Sequence, residues 1–317
     1  MDELDIALCQ RAVPARLGAP DIYIYQIDYG EPGTAVGSFP LLDNSGNERP
    51  DWFEYWPIRR FLQSEALAEN AYYGFVSPKF TQKTNLSAGA VCDFISTDRS
   101  HPDVYLFSPS IHRYAYYWNV FQQGDACHPT LLAIASQFFK RIGKPTNLRE
   151  FVTHSGNEVA SNYLVAKPRF WRAWLNITER LFEIAESATN PLGDALRQPT
   201  SYGPRREVQM KVFVLERIAT WMLAYDSNFT ARVRHPFVAR SRTYKLPVAI
   251  VCDALKLAYA AHQNRSFRDV FKDAFELVSP FGKLLNVQIR LGALCGNGRV
   301  RHCLRRLGAH WSKTQRL

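Results

Sequence analysis

The stretch Asp21-Ile-Tyr-Ile-Tyr-Gln-Ile-Asp28 decides the class of fold. Its β-branched and aromatic residues, bounded by Pro20 and Gly30, read as a buried strand, the first of a sheet. The residues that follow, through Gly33, Gly37, Pro40, Asn44, Gly46 and Pro50, read as a loop that could lie over a site. Residues 52–70 predict an amphipathic helix, because Pro57 stands near its start and Ile58, Phe61, Leu62 and Leu67 share a face. A second strand follows at 71–76, a helix begins within 84–95, and 101–109 is a short apolar strand that stops at Pro109. Helical patterns at 114–123 and 129–142 and a strand at 161–168 complete an alternation of strands and helices, the signature of an α/β sheet. Beyond it the pattern is helical, over 170–187, 208–225, 248–262 and 267–277.

The totals bound the rest. With 317 residues, 46% hydrophobic and 21% charged, the chain falls in the ordinary globular range and can build one large α/β domain with a helical appendage. No run of about 18 apolar residues and no signal-like start are visible, which predicts a cytoplasmic protein. Six cysteines without a Cys-x-x-Cys pair argue against a zinc module or a disulfide framework. The net charge of +10 is concentrated at one end: from Leu277 to Leu317 there are eight basic residues and no Asp or Glu. Val300, Cys303, Leu304, Leu307 and Trp311 fall on one helical stripe, with Arg299, Arg301, His302, Arg305 and Arg306 largely off it. Such a basic amphipathic tail suits an anionic membrane surface, or packs on the protein's own body. No nucleic-acid partner is expected, since no binding motif accompanies the charge.

Several polar groups could carry chemistry. Lys79 and Lys83 follow the strand at 71–76, where ligands of open α/β sheets bind beyond the strand ends, and either they meet a diphosphate or the loop is a solvated basic one. Asp125 and His128 lie within the compact run Phe121-Gln-Gln-Gly-Asp-Ala-Cys-His-Pro129. They could serve as general base, hydroxyl acceptor or metal ligand, or as a capped turn before the helix at Leu131. Asn162 in an apolar strand and Glu216-Arg217 in an apolar helix are polar groups that cost free energy unless paired or bound to a ligand. Patterns for a Gly-x-Ser-x-Gly hydrolase, a His-Glu-x-x-His metalloprotease and a kinase are all missing.

Three blocks in order carry a resemblance: Gln123-Gly-Asp-Ala-Cys-His-Pro129, Ser161-Asn-Tyr-Leu-Val-Ala-Lys-Pro-Arg-Phe-Trp171 and Met210-Lys-Val-Phe-Val-Leu-Glu-Arg217. With Asp51-Trp-Phe-Glu-Tyr-Trp-Pro-Ile-Arg-Arg60 and Tyr73-Gly-Phe-Val-Ser-Pro-Lys79, they resemble uncharacterised bacterial glycosyltransferases of capsule and O-antigen clusters, over about residues 20 to 225. The resemblance implies an α/β fold built on a single Rossmann-like, GT-A-type mixed sheet, with a mainly helical C-terminal half and the basic tail. Together with the helical pattern and the charge of the tail, this divides the chain into a nucleotide-sugar-binding region (1–170), a helical region completing the site (171–280) and the tail (281–317).

The resemblance further implies transfer of a sugar from a nucleotide sugar to a glycan or lipid-linked acceptor, at the inner face of the cytoplasmic membrane. Asp125, Glu216 and His128 would then be catalytic, and Asp28, Lys79, Lys83, Asp103, Asn162 and Arg217 would bind the donor. Enzymes of this type often hold Mg²⁺ or Mn²⁺ on an Asp-x-Asp pair, which is missing here. Either Asp103 alone holds the metal, or Lys79, Lys83 or Arg113 neutralises the diphosphate instead. The alternative reading is a non-catalytic, membrane-associated scaffold of a polysaccharide assembly.

Overall fold

The computed structural model describes residues 20–30, 39–108, 111–202, 206–234 and 245–294. Its elements in chain order are β1 (Ile22–Asp28), β2 (Leu41–Asp43), α1 (Tyr55–Ser64), β3 (Tyr72–Val76), α2 (Phe80–Thr84), α3 (Ala88–Thr97), β4 (Val104–Leu106), α4 (Ile111–Tyr114), α5 (Val120–Cys127) and α6 (Leu131–Arg141). There follow β5 (Leu164–Ala166), α7 (Pro168–Glu186), α8 (Pro191–Arg197), β6 (Pro199–Ser201), β7 (Glu207–Gln209), α9 (Met210–Leu215), α10 (Ile218–Tyr225), β8 (Ala231–Val233), α11 (Lys245–Ala261) and α12 (Arg265–Leu294). Contacts divide the chain into two units, meeting at Ser241 and Arg242.

The first unit is α/β. Six strands form one mixed sheet in the order β2-β1-β3-β5-β4-β8, and β6 and β7 form a separate hairpin. β1 runs parallel to both β2 and β3, with Ile22 opposite Tyr72 and Gln26 opposite Val76. β5 runs antiparallel to β3 on one side and to β4 on the other, and β8 returns parallel to β4. Gly74 allows the close β3–β5 approach, since a Cβ there would lie 2.8 Å from Val165 Cγ2.

Side chains alternate between the two faces, as strand geometry requires. Tyr73, Phe75 and Ile27 face a core shared with Trp171, Trp174, Phe138 and Trp221 of the helices, whereas Tyr72, Val76, Ile22 and Ile24 face Phe80, Val91 and Ile95. The larger core takes in both the sheet and helices α7 to α10.

Other departures are local. β2 lies within the stretch read as loop, and β8 emerges from a stretch with no strand pattern. The expected helix at 208–225 breaks into α9 and α10 at Glu216 and Arg217. In the second unit, α12 continues to Leu294, past both the expected end at 277 and Pro280. The amphipathic helix expected around 299–311 lies outside the described residues.

Candidate functional site

Because β5 alone runs against the other five strands of the sheet, the carboxyl ends of β1, β3 and β4 and the start of β5 lie along one edge. Ser77, next after β3, and Tyr163, just before β5, meet there through a buried hydroxyl pair 2.7 Å apart. Lys83 at the end of α2 donates to Ser161 Oγ at 3.4 Å, with its ammonium 5.5 Å from the centre of the Tyr163 ring. Ser161 and Asn162 both adopt left-handed backbone, at φ 58° and 53°. Asn162 is only 7% exposed, and its side-chain oxygen has no hydrogen-bond partner. A buried acceptor left unmatched is costly, so it calls for a donor from water or a ligand.

Glu216 enters from the turn between α9 and α10. It keeps some accessible surface, yet protein atoms crowd its carboxyl, and this desolvation raises its pKa to about 7. Arg217 opposes the rise, the Glu54 carboxylate adds to it, and Lys83 opposes it.

Arg217 fixes this turn. Its guanidinium donates to Val120 O at 2.8 Å, Phe213 O at 2.7 Å and Gln123 Oε1 at 3.1 Å, tying α5 to α9. Gly124 leaves the room this requires, since a Cβ there would fall 2.6 Å from Arg217 Nε.

Glu54 arrives from the opposite direction along the chain. Phe53 before it has φ 50° and ψ −135°, a conformation that costs free energy and persists only where neighbours hold it. Trp52 and Tyr55 supply that hold: both are buried, Trp52 Nε1 donating to Glu186 at 3.0 Å and Tyr55 OH to Glu179 at 2.7 Å. Behind them the buried Lys211 donates to Asp51 at 2.5 Å, with its ammonium 4.1 Å from the centre of the Trp52 ring.

Cations and phenols complete the cluster. Crowding lowers the Lys83 pKa, the carboxylates Glu54 and Glu216 work against that fall, and the like charges of Arg113 and Lys79 add to it. Lys83 thus lies within electrostatic reach of Lys79, of Arg113 and of the two acids. Burial pushes the Tyr114 phenol up to about 12 and raises Tyr163 and Tyr202 as well, the negative charge of Glu216 contributing in each. All three therefore stay neutral donors near pH 7. A carboxyl titrating near neutrality can take a proton from a hydroxyl, and a trio of cations can hold an anionic group nearby.

Of the residues put forward from sequence, the structure brings together Glu216, Lys83, Lys79 and Asn162. Asp28 ends β1 on the same edge, where its Oδ1 accepts from Gly30 N at 3.0 Å and closes a turn. Asp125 is on α5 and accepts from Leu132 N at 3.0 Å, so it caps α6. The His128 ring is buried and stacks on Phe213 with centres 3.7 Å apart, which makes it part of the α5–α9 packing. Arg217 positions the turn through three hydrogen bonds to protein groups.

Asp103 is a correction. It precedes the first residue of β4, at the other edge of the sheet, and pairs with Arg169 while accepting from Thr230 N and Oγ1, each at 2.8 Å. Both oxygens are committed, so a Mg²⁺ or Mn²⁺ ion does not fit there. Among the described residues no three His, Cys, Asp or Glu side chains gather as a metal-binding set.

Sequence reasoning missed Glu54, Tyr114, Tyr163 and Tyr202. Glu54 carried one readable signal, a lone acid between Trp52-Phe53 and Tyr55-Trp56. Comparison with protein-family models, characterised proteins and solved structures finds no match to this chain.

Proposed function

We propose that the protein is a glycosyltransferase that moves a sugar from a nucleotide sugar to a glycan or lipid-linked glycan of surface polysaccharide. In this reading the mixed sheet is a GT-A-type donor-binding sheet and works at the inner face of the cytoplasmic membrane. The observation that carries it is Glu216: a crowded carboxyl poised near neutrality, with Lys83 and Glu54 beside it, at the sheet edge where α/β folds bind ligands.

Glu216 takes the proton of an acceptor hydroxyl as that oxygen bonds to the anomeric carbon and the bond from this carbon to the diphosphate oxygen breaks. The departing diphosphate gathers negative charge, which Lys83, Lys79 and Arg113 meet. Asn162 Oδ1 accepts from a sugar or base donor, which satisfies it. Glu54, on the same patch, orients a sugar hydroxyl.

A thermal-shift panel of UDP, GDP, CMP and dTDP, with and without Mn²⁺, tests this. A nucleotide at a hundred times its dissociation constant stabilises by about 2.7 kcal/mol. One nucleotide is expected to raise the melting temperature of the wild type. A panel without any shift would overturn the assignment.

A further inference from the structure

The second unit pairs α11 with α12, and α12 turns Phe275 and Ser279 inward. On another face Phe267, Val270, Leu277, Phe281 and Leu284 recur at heptad spacing and stand exposed, the last three at 72%, 60% and 61%. Large side chains at that spacing and exposure form a contiguous apolar stripe, which calls for a cover.

Charge chooses the cover. Around Phe267 and Val270 the acids Asp269, Asp273 and Glu276 are balanced by Arg265, Arg268 and Lys272, but from Leu277 onward the chain has eight basic residues and no acidic one. A second copy seated on the stripe would bring two such segments together, eight basic residues and no acid in each. An anionic lipid headgroup layer over an apolar interior offers both partners at once.

We propose that the Leu277–Phe281–Leu284 stripe of α12 docks on the surface of an anionic bilayer, its side chains in the acyl boundary. No helix among the described residues is long and apolar enough to cross a membrane, so the contact lies in the plane of the surface. This inference is independent of the proposed chemistry and does not need the sheet edge to bind a nucleotide.

The full chain is to be sedimented with vesicles of phosphatidylcholine alone and of phosphatidylcholine mixed with phosphatidylglycerol. It should sediment with the mixed vesicles, less so as salt is raised, and weakly with the neutral ones. Because the changed side chains are exposed, the double variant Leu277→Ser, Phe281→Ser should keep its circular dichroism spectrum and lose about tenfold in vesicle affinity or more. In a separate Phe281→Trp protein, the emission difference from wild type should shift to the blue on mixed vesicles. Unchanged binding of the Ser variant, or no shift from the Trp variant, would overturn the proposal. So would light scattering that shows a wild-type dimer converted to monomer by the Ser changes with vesicle binding unaltered, which would assign the stripe to a second copy.

Discussion

Gly124 of α5 and Arg217 of the α9–α10 turn share one volume: the space a Cβ would take at 124 is filled by the guanidinium, 2.6 Å from its Nε and 2.7 Å from Nη2. The guanidinium is buried and held by three hydrogen bonds, so it cannot swing aside cheaply. An Ala for Gly exchange inside a helix ordinarily stabilises by about 1 kcal/mol. Here Gly124→Ala should destabilise by about 1–3 kcal/mol in urea melts, because the methyl group breaks or displaces that bonding. It should also lower activity by moving the adjoining Glu216. Stability equal to or above wild type would show that Arg217 yields.

Glu216 should cost stability where it is ionised. Its folded-state pKa, about 7, lies above the ordinary 4.5, so the stability linked to it is fully present below pH 4.5 and is lost as pH rises through 7. Glu216→Gln should therefore unfold at higher denaturant than wild type above neutrality, by about 1–3 kcal/mol, with the gap closing in acid. The same variant should lose about 10²–10⁴-fold in sugar transfer, the usual worth of a general base. Denaturant melts at several pH values and turnover with the responding nucleotide sugar check the two halves separately.

Lys83 acts on both the ligand and the acid. Lys83→Met removes a cation that lowers the Glu216 pKa, so the acidic limb of the pH–rate profile should move to higher pH. The nucleotide-dependent thermal shift should shrink in this variant, and Lys83→Arg should retain more of it than Lys83→Met. An unmoved profile with an intact thermal shift would remove Lys83 from the site.

Asp103 supports the fold from the far edge. Arg169 and Thr230 overcome the effect of its burial and hold its pKa at about 2, so its contribution is present above the ordinary 3.8 and disappears as pH falls through 2. Asp103→Asn should cost about 1–2 kcal/mol at neutral pH, tempered by the exposed Arg169 partner, with no change in nucleotide binding. A lost nucleotide shift in a folded Asp103→Asn protein would return this carboxylate to the site.

The main strands were legible because β1, β3, β4 and β5 are apolar runs long or pure enough to show. β2 and β8 were not: Leu41-Leu-Asp43 and Ala231-Arg-Val233 are three residues each and owe their extended form to ladders with β1 and β4. The break at Glu216 was hidden because α9 and α10 are both apolar and no Gly or Pro separates them. Glu216 and Asn162 stood out as polar groups in apolar surroundings, a signal of local composition, and Lys83 by its place after an apolar strand. Glu54 and the tyrosines became part of the site only through tertiary placement, which periodicity does not encode. Asp103 stands at the head of β4, and β4 runs the same way as β1 and β3, a strand direction that the sequence does not carry.

β5 has a bearing on how this protein is made. Among the described residues, β3 and β4 are joined through nothing in the sheet but Leu164–Ala166, so the β2-β1-β3 ribbon and an unpartnered β4 wait until that segment has left the ribosome. Until then β3 and β4 each hold an unsatisfied strand edge, the kind that recruits other chains. Translation arrested shortly before Leu164 would yield a sticky product that needs chaperones, whereas a chain that has passed Ala166 can join its first ribbon to β4 and needs only β8 to complete the sheet.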